Sequence, residues 1–148
     1  MTSRTFVATL GVILVAGLFS STGAQSARRY ITGRSAGAAN AATQPPFSGA
    51  VFVGDTLYVS GTLGIGETAS DAARAVLTNV KGTLESAGLT MDDLVQVHVY
   101  SADLAYYNDF NTVYRTFFTK EYPARAFLGA GSLLNNAKFE VTAVAVKR

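Results

Sequence analysis

The apolar residues of this chain follow two repeats, one of period two and one of period three to four, and their order predicts the architecture. Arg28–Thr32 carries a short first strand. Ala50–Val53 and Thr56–Ser60 flank Gly54-Asp55. Short β-branched and aromatic runs across a two-residue Gly-Asp turn predict a hairpin. Gly61, Gly64 and Gly66 follow. Their spacing is no dinucleotide fingerprint, and no Gly-Lys-Ser/Thr closes it into a phosphate loop. It predicts a flexible connection into a helix, which Ser70-Asp71 is expected to cap. Ala73, Val76, Leu77, Val80, Leu84 and Ala87 form one apolar stripe on that helix. Lys81 and Glu85 make an i,i+4 pair on its other side, and Gly88 ends it in a left-handed conformation.

Thr90–Asp93 is a turn, and Leu94–Tyr100 alternates as a strand. The alternation predicts Val95, Val97 and Val99 on one face, with Gln96, His98 and Tyr100 on the other. Ser101 or Asp103 can cap a second helix, striped by Tyr106, Phe110, Val113, Tyr114 and Phe117. A strand follows Pro123, Gly131–Ala137 is a loop, and Lys138–Val146 is the last strand. There Phe139, Val141, Ala143 and Ala145 share one face, and Glu140, Thr142, Val144 and Val146 the other.

The order β-β-β-α-β-α-β-β predicts an α+β domain: a mixed β-sheet of about six strands with two helices on one face. The strands carry apolar or aromatic residues on both faces. Two helices cover only one, so the second face is expected to be buried by other copies in a closed oligomer. Composition agrees with one packed domain: 49% of the 148 residues are hydrophobic and 15% charged. Twelve basic against ten acidic residues, without a basic cluster, imply no nucleic-acid partner. The absence of cysteine excludes disulfides, a thiolate nucleophile and thiolate metal sites. A single histidine excludes a histidine-rich zinc site.

The N-terminus has its own pattern. Arg4 precedes the apolar run Phe6–Phe19, and small residues follow, with Thr22 and Ala24 where a signal peptidase tolerates them. This is the order of a secretory signal. The run is short of the roughly 20 residues needed to span a bilayer. Residues 1–24 are therefore expected to be a signal peptide cleaved after Ala24, exporting the protein to the periplasm or medium with no membrane segment left. An uncleaved anchor is the alternative. Residues 25–45 read as a first strand and linker, and residues 46–148 as the folded domain.

Arg125 carries the candidate chemistry. It stands in the small, apolar stretch Pro123–Ala130. Arginine is almost never fully buried unless paired, so Arg125 sits at an open edge or faces an anion. Its planar fork suits a carboxylate or phosphate, and the carboxylate of a small substrate is the expectation. Glu140 is the acidic residue of an apolar strand, either an ion-pair partner or a group with a tuned pKa. His98 has no local carboxylate or nucleophile and reads as structural. Asn111 lies off the densest apolar line of its helix, where a pocket is within reach.

From Pro46 to Arg148 the chain resembles the RidA (YjgF/YER/UK) family of enamine/imine deaminases. The resemblance rests on Leu57–Gly61, Asn79-Val80-Lys81 through Ala87-Gly88-Leu89, and Val97–Tyr100 with Asp103-Leu104. It continues through Asp109-Phe110 to Phe117-Phe118, Pro123-Ala124-Arg125 and Glu140–Val146. It implies a chorismate-mutase-like fold and a homotrimer with clefts between subunits. The implied activity is hydrolysis of 2-imino or 2-aminoacrylate acids to 2-keto acids and ammonia, without metal or organic cofactor. On the matching positions, Arg125 would hold the substrate carboxylate and Glu140 would hold or activate water. Ser60, Gly61 and Asn111 would line the pocket. Phe47 stands where relatives often have tyrosine, and Phe127 where they have cysteine or threonine; both changes remove polar groups and narrow the pocket. Alternative readings are a non-catalytic, carboxylate-binding or protein-protecting trimer and, with less support, an endoribonuclease.

Overall fold

The computed structural model describes residues 28–31 and 45–148. The signal-peptide and cleavage expectations, and most of the linker, lie outside the described residues. The elements are β1 (Arg28–Ile31), β2 (Ala50–Val53), β3 (Thr56–Gly64), α1 (Ala69–Ser86), β4 (Leu94–Ser101), α2 (Tyr107–Tyr114), β5 (Ala124–Gly129) and β6 (Phe139–Val146). They form one six-stranded sheet in the order β1-β2-β3-β6-β4-β5. All pairings are antiparallel except β4 with β5. The predicted α+β class, element order and mixed sheet hold.

The core lies between one sheet face and the helices. The α1 stripe of Ala73, Val76, Leu77, Val80 and Leu84 packs on Leu57, Val59, Val97, Val99, Val141, Ala143 and Ala145, all buried. Each valine or leucine among them contributes on the order of 1.5–3 kcal/mol by leaving water. An aromatic cluster extends this core under α2: Phe110 lies 4.8 Å from Phe139 and 5.6 Å from Phe127, ring centre to ring centre. On the outer side of α1, Lys81 Nζ is 3.8 Å from Glu85 Oε1, the expected pair.

The N-cap of α1 is Thr68, not Ser70. Its hydroxyl accepts from the Asp71 N–H at 3.1 Å, and Asp71 Oδ2 accepts from the Thr68 N–H at 3.3 Å. The helix thus starts at Ala69, two residues before Asp71, and Asp71 closes a capping box rather than beginning the helix. These contacts hold the Asp71 carboxyl below the usual carboxylate range, the Thr68 hydroxyl being the largest cause. Gly88, at φ +81°, follows the helix as expected.

Gly61 and Gly64 do not form a flexible connection. Both belong to β3, which pairs with β6 through Gly64. The pairing shifts between Val59 and Thr62, so Ser60 and Gly61 together oppose Thr142, a β-bulge. A second shift lies between Leu94 and Gln96. It turns Leu94 inward and leaves Val95 exposed at 47%, not on the face of Val97 and Val99. The sequence alternation is continuous there, but the backbone carries one extra residue.

Candidate functional site

Arg125 stands on β5, an edge strand, where it pairs with Val97 of β4. Since Val97 is buried against the helices, Arg125 is on the helix face. Asn111, from the middle of α2, meets it: Arg125 Nη2 donates to Asn111 Oδ1 at 2.6 Å. The guanidinium carbon lies 4.6 Å from the centre of the Tyr114 ring. A guanidinium stacked on an aromatic and tethered at one nitrogen is held in one orientation. Arginine has five N–H donors, and Asn111 is the one side-chain acceptor of Arg125 among the described residues. No carboxylate of the described residues pairs with it.

A cavity of about 280 Å³ opens beside this group, lined by Asn111, Tyr114, Arg115, Tyr122, Pro123 and Arg125. Its polar donors are thus aimed by rigid elements. The Tyr114 hydroxyl is buried without a hydrogen-bond partner among the described residues. Burial pushes that phenol up to about 12, and the Arg125 charge opposes the shift more weakly. Tyr114, Arg115 and Tyr122 were not among the expected site residues. The helical periodicity places Tyr114 in the core stripe, and it is buried there as well. The i+3 and i+4 spacing of Tyr114 and Arg115 from Asn111 is the signal that joins them to the site.

Phe127 shares the face of Arg125, two residues along β5, but does not line the cavity. Its ring packs edge-on against Tyr107 at 5.1 Å and against Phe110.

Glu140 is elsewhere. It pairs with Tyr100 on β4 and Leu63 on β3, on the sheet face that the helices leave open. Gly61 lies against it: a Cβ there would overlap Glu140 Oε1. Ser60 anchors the preceding loop, its hydroxyl donating to the Ser48 carbonyl at 2.6 Å. Phe47, next to Ser48, is 64% exposed. The expected residues therefore form two groups. Arg125 and Asn111 meet on the helix face, with Phe127 near them. Glu140 and Gly61 meet on the open face, with Ser60 and the Phe47 loop adjoining. A single chain does not bring Arg125 and Glu140 together.

The open face also holds His98, Thr142 and Val144, half-buried, and Tyr58, 51% exposed. His98 Nε2 lies 3.1 Å from Gln96 Nε2. Among the described residues, no three His, Asp or Glu side chains are placed to hold a metal ion. No described helix is long and apolar enough to cross a membrane.

The fold and this site define an α+β protein with a six-stranded mixed sheet and an arginine-bearing cavity at its β5 edge. The chain belongs to the family described as Endoribonuclease L-PSP, that of the RidA and YjgF proteins, whose profile matches residues 38–147. It is 35% identical over 118 residues to the 2-iminobutanoate/2-iminopropanoate deaminase of Dermatophagoides farinae, covering 71% of this chain and 90% of that one. The YjgF gene product of E. coli superposes with a TM-score of 0.67 at 31% identity, over 70% of this chain and 89% of that one. E. coli TdcF with bound serine superposes with a TM-score of 0.69 at 27% identity, over 80% and 94%.

Proposed function

We propose that this protein hydrolyses small 2-imino and enamine acids, such as 2-aminoacrylate, 2-iminopropanoate and 2-iminobutanoate, to 2-keto acids and ammonia. The observation that carries this reading is Arg125, oriented by Asn111 and Tyr114 over an open cavity with N–H donors to spare. The substrate carboxylate takes two of those donors, which fixes the molecule and places its imine carbon. That carbon is already electrophilic, so no covalent intermediate with the protein is required. Glu140 accepts a proton from water as the oxygen adds to the C=N carbon, and the nitrogen gains a proton. Collapse of the resulting carbinolamine breaks the C–N bond and releases ammonia.

Arg125 and Glu140 act together only across two copies. We place the reaction in clefts of a homotrimer, one copy supplying Arg125 and Asn111 and its neighbour Glu140 and Gly61. The open sheet face with Tyr58, Val144 and exposed Val146 supports burial by a second copy. The deaminase relative and the serine-bound E. coli protein support a small α-carboxylate ligand. The order of residues 1–24 supports export, testable by N-terminal sequencing of the mature protein.

A second reading is a non-catalytic carboxylate binder, favoured by the fact that Arg125 and Asn111 are complete within one chain while Glu140 is not. One experiment separates the two. Imines are generated in situ by an amino-acid oxidase, and keto-acid release is followed with wild type, Arg125→Ala and Glu140→Ala. Acceleration lost in both variants supports the deaminase. No acceleration by wild type, with ligand binding lost in Arg125→Ala, leaves the binder. Cleavage of RNA by wild type that His98→Ala abolishes would instead favour the ribonuclease that the family description names.

A further inference from the structure

The cavity beside Arg125 holds a second cation. Arg115 directly follows α2, one helical turn beyond Asn111, and so lies on the same side of that segment. Both residues line the cavity with Arg125. Among the described residues, neither arginine pairs with a carboxylate; the ion pairs are Lys81 with Glu85 and Arg148 with Asp93. Two guanidinium groups on one cavity repel each other, and a ligand with two negative charges relieves both. Beside Asn111, the rest of the lining is Tyr114, Tyr122 and Pro123. Tyr114 and Tyr122 are stacked, with centroids 6.2 Å apart. The two rings and the proline present a stiff carbon face, against which a short methylene spacer can lie.

We propose that the cavity selects 2-imino dicarboxylic acids, Arg125 holding the carboxylate next to the imine and Arg115 the distal one. This rests on the deaminase reading of Arg125 and names its substrate class. The chemistry is unchanged: water adds across C=N, the C–N bond breaks, and a 2-oxo dicarboxylate and ammonia leave, with no change of oxidation state. Arg115 does not touch the reacting atoms. It acts as a specificity residue, through the far end of the substrate.

The test compares kcat/KM for imines made from D-aspartate and D-glutamate by D-aspartate oxidase with that for 2-iminobutanoate made by an amino-acid oxidase. Wild type, Arg115→Met and Arg115→Lys are assayed. The dicarboxylate-to-monocarboxylate ratio is expected to fall about tenfold in Arg115→Met, the worth of one charge-assisted hydrogen bond. Arg115→Lys is expected to restore part of it. Wild type active on 2-iminobutanoate but not on the dicarboxylic imines overturns the inference and leaves the deaminase standing. A ratio unchanged in Arg115→Met also overturns it. If wild type hydrolyses neither class, the deaminase reading fails, and calorimetry with 2-oxoglutarate and 2-oxobutanoate decides the rest. A preference for 2-oxoglutarate that Arg115→Met abolishes supports the dicarboxylate site, and the absence of any preference overturns it.

Discussion

Arg125 and Glu140 lie on opposite faces of one sheet, with β4 between their strands. If they serve one reaction, the active unit needs two chains, and the two defects should complement. Arg125→Ala and Glu140→Ala are each expected to be inactive alone. Refolded together in equal amounts, they should recover roughly a quarter of wild-type activity, the chance that two neighbouring copies in a ring supply the two intact halves. A mixture no more active than its components would place both groups' chemistry in one chain, or nowhere.

Asn111 holds one nitrogen of Arg125, so its replacement should affect binding through orientation. Asn111→Ala is expected to raise KM about tenfold, the loss of one hydrogen bond to a charged group. Asn111→Asp should be worse. The new carboxylate would satisfy the guanidinium and compete with the substrate's own. Steady-state kinetics with 2-iminobutanoate, read as KM and kcat separately, gives the order of the two variants.

Gly61 leaves room for the Glu140 carboxylate, and the atom that an added Cβ would meet is the far end of a flexible side chain. Gly61→Ala should therefore displace Glu140 more than it disturbs the fold. The expected outcome is a melting temperature within about 4 °C of wild type, with activity lowered toward that of Glu140→Ala. A large thermal loss without a kinetic one would show the contact to be structural.

Tyr114 gives the pH dependence. Its phenol is raised to about 12, chiefly by burial. A group with a raised folded-state pKa contributes stability that is complete below its unfolded pKa, roughly 10 for tyrosine. That contribution is lost as pH rises from there toward about 12. Chemical denaturation of wild type should show this alkaline loss. In Tyr114→Phe the loss should shrink, and stability near neutral pH should be equal or higher, because a buried hydroxyl without a partner is removed. An unchanged alkaline limb would contradict the assignment.

Much of the fold was legible because period-two and period-four patterns are imposed locally by which side of an element is buried. The α1 stripe and the alternation of β6 are of this kind. Arg125 and Asn111 could be singled out separately, from an arginine in apolar company and an off-stripe asparagine. Their contact could not, because it depends on how α2 crosses the β5 edge. The separation of Arg125 from Glu140 was hidden for a related reason. Alternation sorts the residues of one strand into two faces, but the registers β5-to-β4 and β4-to-β6 decide which faces coincide. Tyr114 was concealed by having two roles, since a ring that fills the core on one side and backs a guanidinium on the other leaves a single apolar signal.

The bulge at Ser60–Gly61 works as a phase shift in a two-letter code. Up to Val59, odd-numbered residues of β3 face the helices; from Thr62 on, even-numbered ones do. Gly64 is thereby the residue beneath α1, where an added Cβ would meet the Ala72 carbonyl oxygen at 2.6 Å. Straightening the strand with both bulge residues kept would restore an unbroken alternation and present Leu63 to that gap instead. The strand would then be more regular and the helix would no longer fit on it, so the irregularity is what keeps the two ends of β3 in step with different partners.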